Sequence, residues 1–285
     1  MRRVYGKIRE IDFDRRIFSL LVDNRIEHFY LSRSQMKKYD AYLDVDLFVD
    51  LKAYDTTVVR ENVATYDVLQ FLRLERHTPR KVISYYNILE IKEGLKNVLT
   101  KDTYRMFIDL EFSMPPYSYA SGNGFQPEII EYGLYIEDAK GNVVDSSSGI
   151  IRPKNEIGIS DRTCEFLHMS KDKLKHGDCY FKFYNTLKDY MMLYQPTIYV
   201  WGKNDYLMLA KSYEVNKVKP ITQRKDFVNL MQLIKNYYSI KNDVGLYKAY
   251  ELFNATPPME VQDHDALHDA FCTLEVYHYF VREIQ

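Results

Sequence analysis

Several things are scarce in this 285-residue chain, and each scarcity closes off a class of protein. Lys and Arg number 39 against 40 Asp and Glu, a formal net charge of −1, so there is no basic excess of the kind that coats duplex nucleic acid. With 11 Gly and 9 Pro the chain is neither collagenous nor of low complexity. Its 3 cysteines, Cys164, Cys179 and Cys272, are scattered and odd in number, a poor disulfide framework that suits a reducing compartment. The opening MRRVYGKIREIDFDRR carries charge where a secretory signal needs an apolar stretch. No segment approaches the ~20 apolar residues of a membrane span. The expectation is a soluble cytoplasmic protein with no membrane partner. What is abundant is tyrosine: 26 Tyr, 15 Phe and 1 Trp make up 15% of the chain.

The periodicity divides the chain. From Val4 to Tyr54 the runs VYGKIREID, RRIFSLLVD, RIEHFYLS and VDLFVDLKAY alternate in part, and RSQMKKYDAY fits a short helix between the last two. Residues 1–72 are therefore expected to form a small β domain, for which a compact barrel of the oligonucleotide-binding (OB) type is one common form. LRLERHTPRKVISYY, locally basic and with a proline, reads as a connector, and NILEIKEGLKNVL as a helix; together they fill 73–102. Residues 103–285 alternate between strand and helix. YRMFIDLEF, EIIEYGLYIED and VVDSSSGIIRP suggest an antiparallel meander, and PTIYVW a later strand. Helices are expected over 178–193, 205–213, 226–238, 245–253 and 265–282, giving a mixed sheet covered by helices. SMPPYSYASGNGFQP, residues 113–127, should be a loop leaving the C-terminal end of the first strand, where open α/β sheets place their sites.

Three segments carry possible chemistry. FIDLEF puts Asp109 and Glu111 on one face of a strand. If that strand is buried the pair needs a cation; on an edge strand two acids are unremarkable. In YVWGKNDYLML, Asp205 opens a helix after a strand, a position that also suits a plain cap. In VQDHDALHDAFCTL, His264 precedes Asp269, which lies inside a helix; Asp263, His264 and Asp265 could instead form only its N-terminus. His264 and His268 could bind zinc as an i, i+4 pair, although no HExxH glutamate accompanies them. Together the carboxylates are hard oxygen donors without a thiolate, which favours Mg²⁺ or Mn²⁺ over zinc. Four can hold two ions about 4 Å apart around a phosphodiester. Imidazole, with an ordinary pKa of about 6.5, suits a general base for water.

The order Asp109-Leu110-Glu111, Asp205 in WGKND, and His264-Asp265-Ala266-Leu267-His268-Asp269 resembles the DEDDh, or DnaQ-like, 3′–5′ exonuclease family. GLYKAYELF is similar to the helix that precedes the family's last motif. The resemblance covers Tyr104 onward and implies an RNase H-like fold. Arg152, Pro153, Ser160 and Cys164 resemble the ERI-type and KapD-like branch. Position 113 is Ser where Thr is common, and Asp265 stands where a sibling group has Tyr. The resemblance implies that Asp109, Glu111, Asp205 and Asp269 hold two Mg²⁺ or Mn²⁺ ions, with His264 as base. The implied reaction releases nucleoside 5′-monophosphates from the 3′ ends of single-stranded RNA or DNA. Aromatics that could stack on bases are Tyr117, Tyr119 and Phe125 in the loop, with Trp201 beside Asp205 and Phe18, Phe29 and Tyr30 in the β region; Ser113 would also contact substrate. For most of these, core packing is the competing explanation. The β region could hold single-stranded substrate, dock a protein or simply extend the structure. The alternatives to an enzyme are a silent nucleic-acid or protein-binding module and a proofreading-type subunit of a larger assembly.

Overall fold

The computed structural model describes residues 1–119, 124–238, 240–258 and 264–285. It divides into two compact units, Met1–Gly94 and Leu95–Gln285.

In the first unit β1 (Arg2–Asp12), β2 (Ile17–Val22) and β3 (Arg25–Tyr30) form an antiparallel run, followed by α1 (Arg33–Tyr39), β4 (Phe48–Arg60), β5 (Val63–His77) and β6 (Val82–Asn87). Two-residue turns at Asp23–Asn24 and Glu61–Asn62, all four residues with positive φ, reverse the chain as such hairpins require. Ser32 and Gln35 cap α1 reciprocally. The strands pair in the order β3-β2-β1-β4-β5-β6, and a parallel β3–β5 pairing bends this sheet into a barrel. Phe18, Leu20, Phe29, Val49, Leu51 and Phe71 fill its interior.

Three expectations change here. The segment read as a connector is the end of β5 together with β6, and the first unit runs on to Gly94. Register shifts against β4 at Leu51↔Phe71 and Ala53↔Val68 break the alternation of β5, which hid it from periodicity. Phe18 and Phe29 are barrel core, 1% and 0% exposed. Tyr30 is half-buried, with the Arg60 guanidinium 3.9 Å from its ring centroid and Arg16 bonded to its hydroxyl at 2.7 Å.

α2 (Ile88–Leu99) crosses the boundary at Gly94. The second unit then has β7 (Arg105–Phe112), β8 (Ile129–Glu137), β9 (Val143–Ile150), α3 (Asp161–Phe166), α4 (Lys171–Lys175), α5 (Tyr180–Tyr194), β10 (Thr197–Val200), α6 (Asn204–Asn216), β11 (Phe227–Asn229), α7 (Leu230–Tyr238), α8 (Leu246–Ala249) and α9 (Ala266–Ile284). The sheet order is β11-β10-β7-β8-β9; β7, β8 and β9 are the expected meander, and β10 runs parallel to β7 and β11. Phe227–Asn229, expected to be helical, is a strand that pairs with Ile198–Val200 before α7 begins.

Strand parity sorts β7 between two helical layers. Met106, Ile108 and Leu110 pack with Phe183 and Leu187 of α5 and Leu209 of α6. Phe107 packs the other way, with Tyr199, Ile234, Tyr277 and Phe280. Full burial of a phenylalanine such as Phe107 or Phe280 stabilises by roughly 1.5–3 kcal/mol. Asp109 and Glu111 share the parity of Phe107 and so face the α9 side. On β8, Gly133 stands opposite Asp109. A Cβ at Gly133 would lie 2.2 Å from the backbone of Leu267, so α9 can cross the sheet here only over a glycine. Ala266 and Ala270, both 0% exposed, serve the same close approach.

Gly133→Ala is expected to push the start of α9 off β8 and to destabilise the unit by about 1–3 kcal/mol or more, the usual cost of overpacking. Urea unfolding of the two proteins measures it, and equal midpoints would refute the constraint.

Candidate metal centre and active site

The cleft is assembled from three elements and the residue that leads into the last of them. Asp109 and Glu111 come from β7, and Asp205 from the first turn of α6, where Gly202 (φ 104°) makes the reversal after β10. Asp269 comes from the first turn of α9, and His264 stands two residues before that helix. His264 has left-handed backbone (φ 50°), which costs a non-glycine roughly 1–2 kcal/mol. Asp265 is the helix cap, accepting from the His268 backbone N–H at 2.9 Å, so the cap role falls to it and leaves His264 free to face the cleft.

Glu111, His264 and Asp269 offer ligand atoms that lie within 4.8 Å of one another. His264 Nδ1 is 3.6 Å from Glu111 Oε1. Asp205 Oδ1 accepts from the backbone N–H of Leu110, the residue between the two strand acids in sequence, at 3.2 Å, which fixes its carboxylate against β7. Glu111, Asp205 and Asp269 are 8%, 5% and 2% exposed. Burial, then the charges of Asp205, Glu111 and Asp269, pushes Asp109 well above the usual carboxylate range. Burial is also the main cause that raises Asp205. Glu111 is pushed up to about 9 by burial and then by Asp269 and Glu131. Carboxylates so crowded and desolvated, without a thiolate among them, fit a hard divalent cation.

Some site residues have no signal in the linear sequence. Glu131 lies directly across from Glu111 on β8, and burial followed by the Asp265 charge raises it to about 7. Only the strand register reveals it. The ring of Phe166 stacks on His264 with centroids 4.0 Å apart. The hydroxyl of Tyr247, in the GLYKAYELF segment, donates to Asp269 Oδ1 at 3.3 Å. The zinc pair does not form. Because α9 starts only at Ala266, His264 and His268 do not share a helical face, and His268 Nε2 lies 3.4 Å from Cys272 Sγ.

The stacking and contact residues separate as well. Ser113 is 2% exposed, and its hydroxyl accepts from the Glu128 backbone N–H at 2.9 Å, closing the neck of the 113–127 loop instead of facing a substrate. Trp201 packs in the α7–α9 core and donates from Nε1 to the Val244 carbonyl at 3.0 Å. Tyr117 is 71% exposed and donates to Glu165 at 3.0 Å. Tyr119 and Phe125 meet edge to face at 5.9 Å. The expected loop also includes residues 120–123, which lie outside the described residues, as does Asp263. Ser160 caps α3 and, with Thr163, bonds the Met114 carbonyl. The loop is thereby latched to the helix whose Phe166 covers His264.

No protein-family model and no curated protein matches the sequence. Solved structures do. The chain is similar to the nuclease domain of 3′hExo, a DEDDh family member crystallised with rAMP, at a TM-score of 0.54 and 18% identity, over 64% of this chain and 92% of that one. It is similar to cell-death related nuclease 4 (CRN-4) at a TM-score of 0.53 and 13% identity, over 64% of each chain. It is also similar to a 3′-exonuclease in a structure of 3′-end recognition of histone mRNA stem-loop, at 0.53 and 17%, over 64% of each. The chain thus spans under two thirds of the length of the last two. The shared portion is larger than the first unit could supply. Its mixed α/β fold is the fold of DEDDh 3′-exonuclease domains.

The raised carboxylates set a pH dependence. Because Glu111 keeps its proton to about pH 9 in the fold while an unfolded glutamate releases it near about pH 4.3, this group destabilises the fold progressively as pH climbs between those values. In chelator at pH 8, Glu111→Gln is therefore expected to melt a few degrees above wild type, at about 2–4 °C per kcal/mol, and the gap should vanish at pH 4. Mn²⁺ should raise the wild-type Tm more than that of the variant. Calorimetry at both pH values decides; a variant less stable than wild type at pH 8 would refute the electrostatic account.

Proposed function

We propose that the chain is a divalent-metal-dependent 3′–5′ exonuclease that releases nucleoside 5′-monophosphates from single-stranded RNA or DNA. The observation that carries this reading is the meeting of Glu111, His264 and Asp269 within 4.8 Å, in a cleft where the charges of Glu111 and Asp269 act on Asp109 and that of Asp269 on Asp205. The fold shared with the nuclease domain of 3′hExo supports it.

Asp109, Glu111, Asp205 and Asp269 would hold two Mg²⁺ or Mn²⁺ ions, with Asp205 acting through bound water. Such ions supply positive charge to the phosphoryl group and the leaving oxygen. His264 takes the proton of the attacking water at a ring nitrogen. Oxygen then bonds to phosphorus as the bond to the 3′ oxygen breaks; the products are a 5′-monophosphate and a strand shortened by one nucleotide, whose 3′ oxygen takes a proton from solvent water, and the imidazolium later returns its proton to solvent. Glu111, 3.6 Å from Nδ1, stabilises the imidazolium that results, and Phe166 holds the ring plane by stacking. Tyr247 orients Asp269. Tyr117, Tyr119 and Phe125 stack on unpaired bases near the 3′ end, a grip that needs no basic surface and so accords with a net charge of −1.

The first unit is assigned as an OB-type barrel that holds single strands. The ring β1-β2-β3-β5-β4-β1, its parallel β3–β5 closure and the helix between β3 and β4 support this assignment. Among the described residues no helix is long and apolar enough to cross a membrane; a cytoplasmic setting is part of the proposal.

The test uses 5′-labelled single-stranded RNA and DNA with Mg²⁺ or Mn²⁺, against EDTA. A ladder shortening from the 3′ end is expected, abolished by EDTA and by Asp109→Ala. His264→Ala should lower kcat by about 10²–10⁴-fold, the usual worth of a general base. If wild type degrades neither strand while Asp109→Ala melts at a similar or higher temperature, the enzymatic reading fails.

A further inference from the structure

The cleft contains two sets of donors that differ in chemistry. Asp109, Glu111, Asp205 and Asp269 are carboxylates, a hard oxygen set that suits Mg²⁺ or Mn²⁺. Glu111, His264 and Asp269 are a mixed set of two oxygens and one nitrogen, and these are the groups whose ligand atoms lie within 4.8 Å of one another. Glu111 Oε1 and His264 Nδ1 are 3.6 Å apart. A tetrahedral zinc ion with bonds of about 2.0–2.2 Å holds its ligand atoms roughly 3.3–3.6 Å apart, so this pair already has the separation that one ion requires.

The imidazole is presented by its edge. Phe166 covers a face of the ring, with centroids 4.0 Å apart, whereas the nitrogen lone pair lies in the ring plane and is left open by the stack. The His264 side chain is 28% exposed, which gives an ion from solvent a path to it. After burial, the groups that act most on Glu111 are Asp269, Glu131, Asp205 and Asp265, all of them acids. A concave site lined by one sign of charge draws in the opposite one.

We propose that Glu111, His264 and Asp269 form a one-ion site for a borderline transition metal of the zinc class, and that filling it silences the cleft. The silencing, though not the binding, rests on the reading of His264 as the general base. Neutral imidazole has one nitrogen lone pair. Once that pair is given to the ion, the ring proton sits on the other nitrogen, and no acceptor is left on the ring for the proton of water. The same ion draws Glu111 and Asp269 out of the carboxylate set. Mg²⁺ does not act in this way, because it dehydrates reluctantly and prefers oxygen, whereas imidazole suits zinc. One cleft therefore tells an activating cation from an inhibiting one. A rival pair, Cys272 Sγ and His268 Nε2 at 3.4 Å, offers sulfur but only two donors, fewer than the three or four protein ligands of zinc sites.

The full chain, stripped with EDTA and exchanged into chelator-free buffer, is titrated with Co²⁺, whose visible bands report its coordination, and with Zn²⁺ against a colorimetric chelator. Wild type should bind a first ion tightly, with the visible bands of a four- or five-coordinate site and no sulfur-to-cobalt band in the near ultraviolet. His264→Gln and Glu111→Gln, each shown to be folded by its melting curve, should bind Zn²⁺ about 100-fold more weakly, the upper end of what even outer-shell partners contribute. Asp109→Ala and Cys272→Ala should lose far less. In the presence of Mg²⁺, shortening of the labelled strands should stop at one equivalent of Zn²⁺ and resume when a zinc-selective chelator removes it. Unchanged Zn²⁺ affinity in His264→Gln, loss of affinity in Cys272→Ala, or a sulfur-to-cobalt band would each overturn the site. Continued shortening with the ion bound would overturn the silencing. If wild type shortens no strand while the binding pattern holds, the nuclease reading and the silencing fail together and the metal site remains.

Discussion

Mutual repulsion among buried carboxylates is the constraint around which the second unit is built. Asp109, Glu111, Asp205 and Asp269 arrive from a strand, a strand-to-helix turn and a long helix, and none brings a cation with it. The fold carries this by surrounding the cluster with rigid apolar packing: Phe107, Tyr199, Tyr277 and Phe280 on one side of the sheet, and Leu110, Phe183 and Leu209 on the other. Hydrogen bonds from the Leu110 backbone and from Tyr247 then hold individual oxygens in place. A site that repels itself is preorganised for positive charge, because no rearrangement is needed when that charge arrives.

Much of this was legible in the residue order, for physical reasons. The two-residue spacing of Asp109 and Glu111 gives a shared face on any strand, and the apolar residues around them mark a buried one. Asp269 could be read as lying inside a helix; that the helix starts pressed against the sheet, with Ala266 and Ala270 at the contact, follows only from its close approach over Gly133. What could not be read depends on register. Glu131 joins the cluster because it pairs with Glu111, and a one-residue slip would turn it to the other face. Phe166 reaches His264 only through the latch between Met114 and the cap of α3.

The aromatic residues follow the same division. Composition announced their number but not their use, and the structure spends many of them on packing: Phe18 on Phe29 in the barrel, and Phe107 against Tyr199 and Tyr277 behind the cleft. The second half of the barrel went unread because β5 is bulged against β4, and a bulged strand has no constant period. Charge balance behaved similarly. A net value near zero averages over the whole chain and so concealed a cleft crowded with acids.

α9 follows every other element of its unit in chain order, yet it backs the central strands, and Tyr277 bonds the Leu99 carbonyl at 2.6 Å across 178 residues of sequence. It carries Asp269, and His264 precedes it immediately. During synthesis the unit therefore gains its last structural layer and its last two cleft groups together. A nascent chain holds three of the four carboxylates and none of the imidazole until α9 docks.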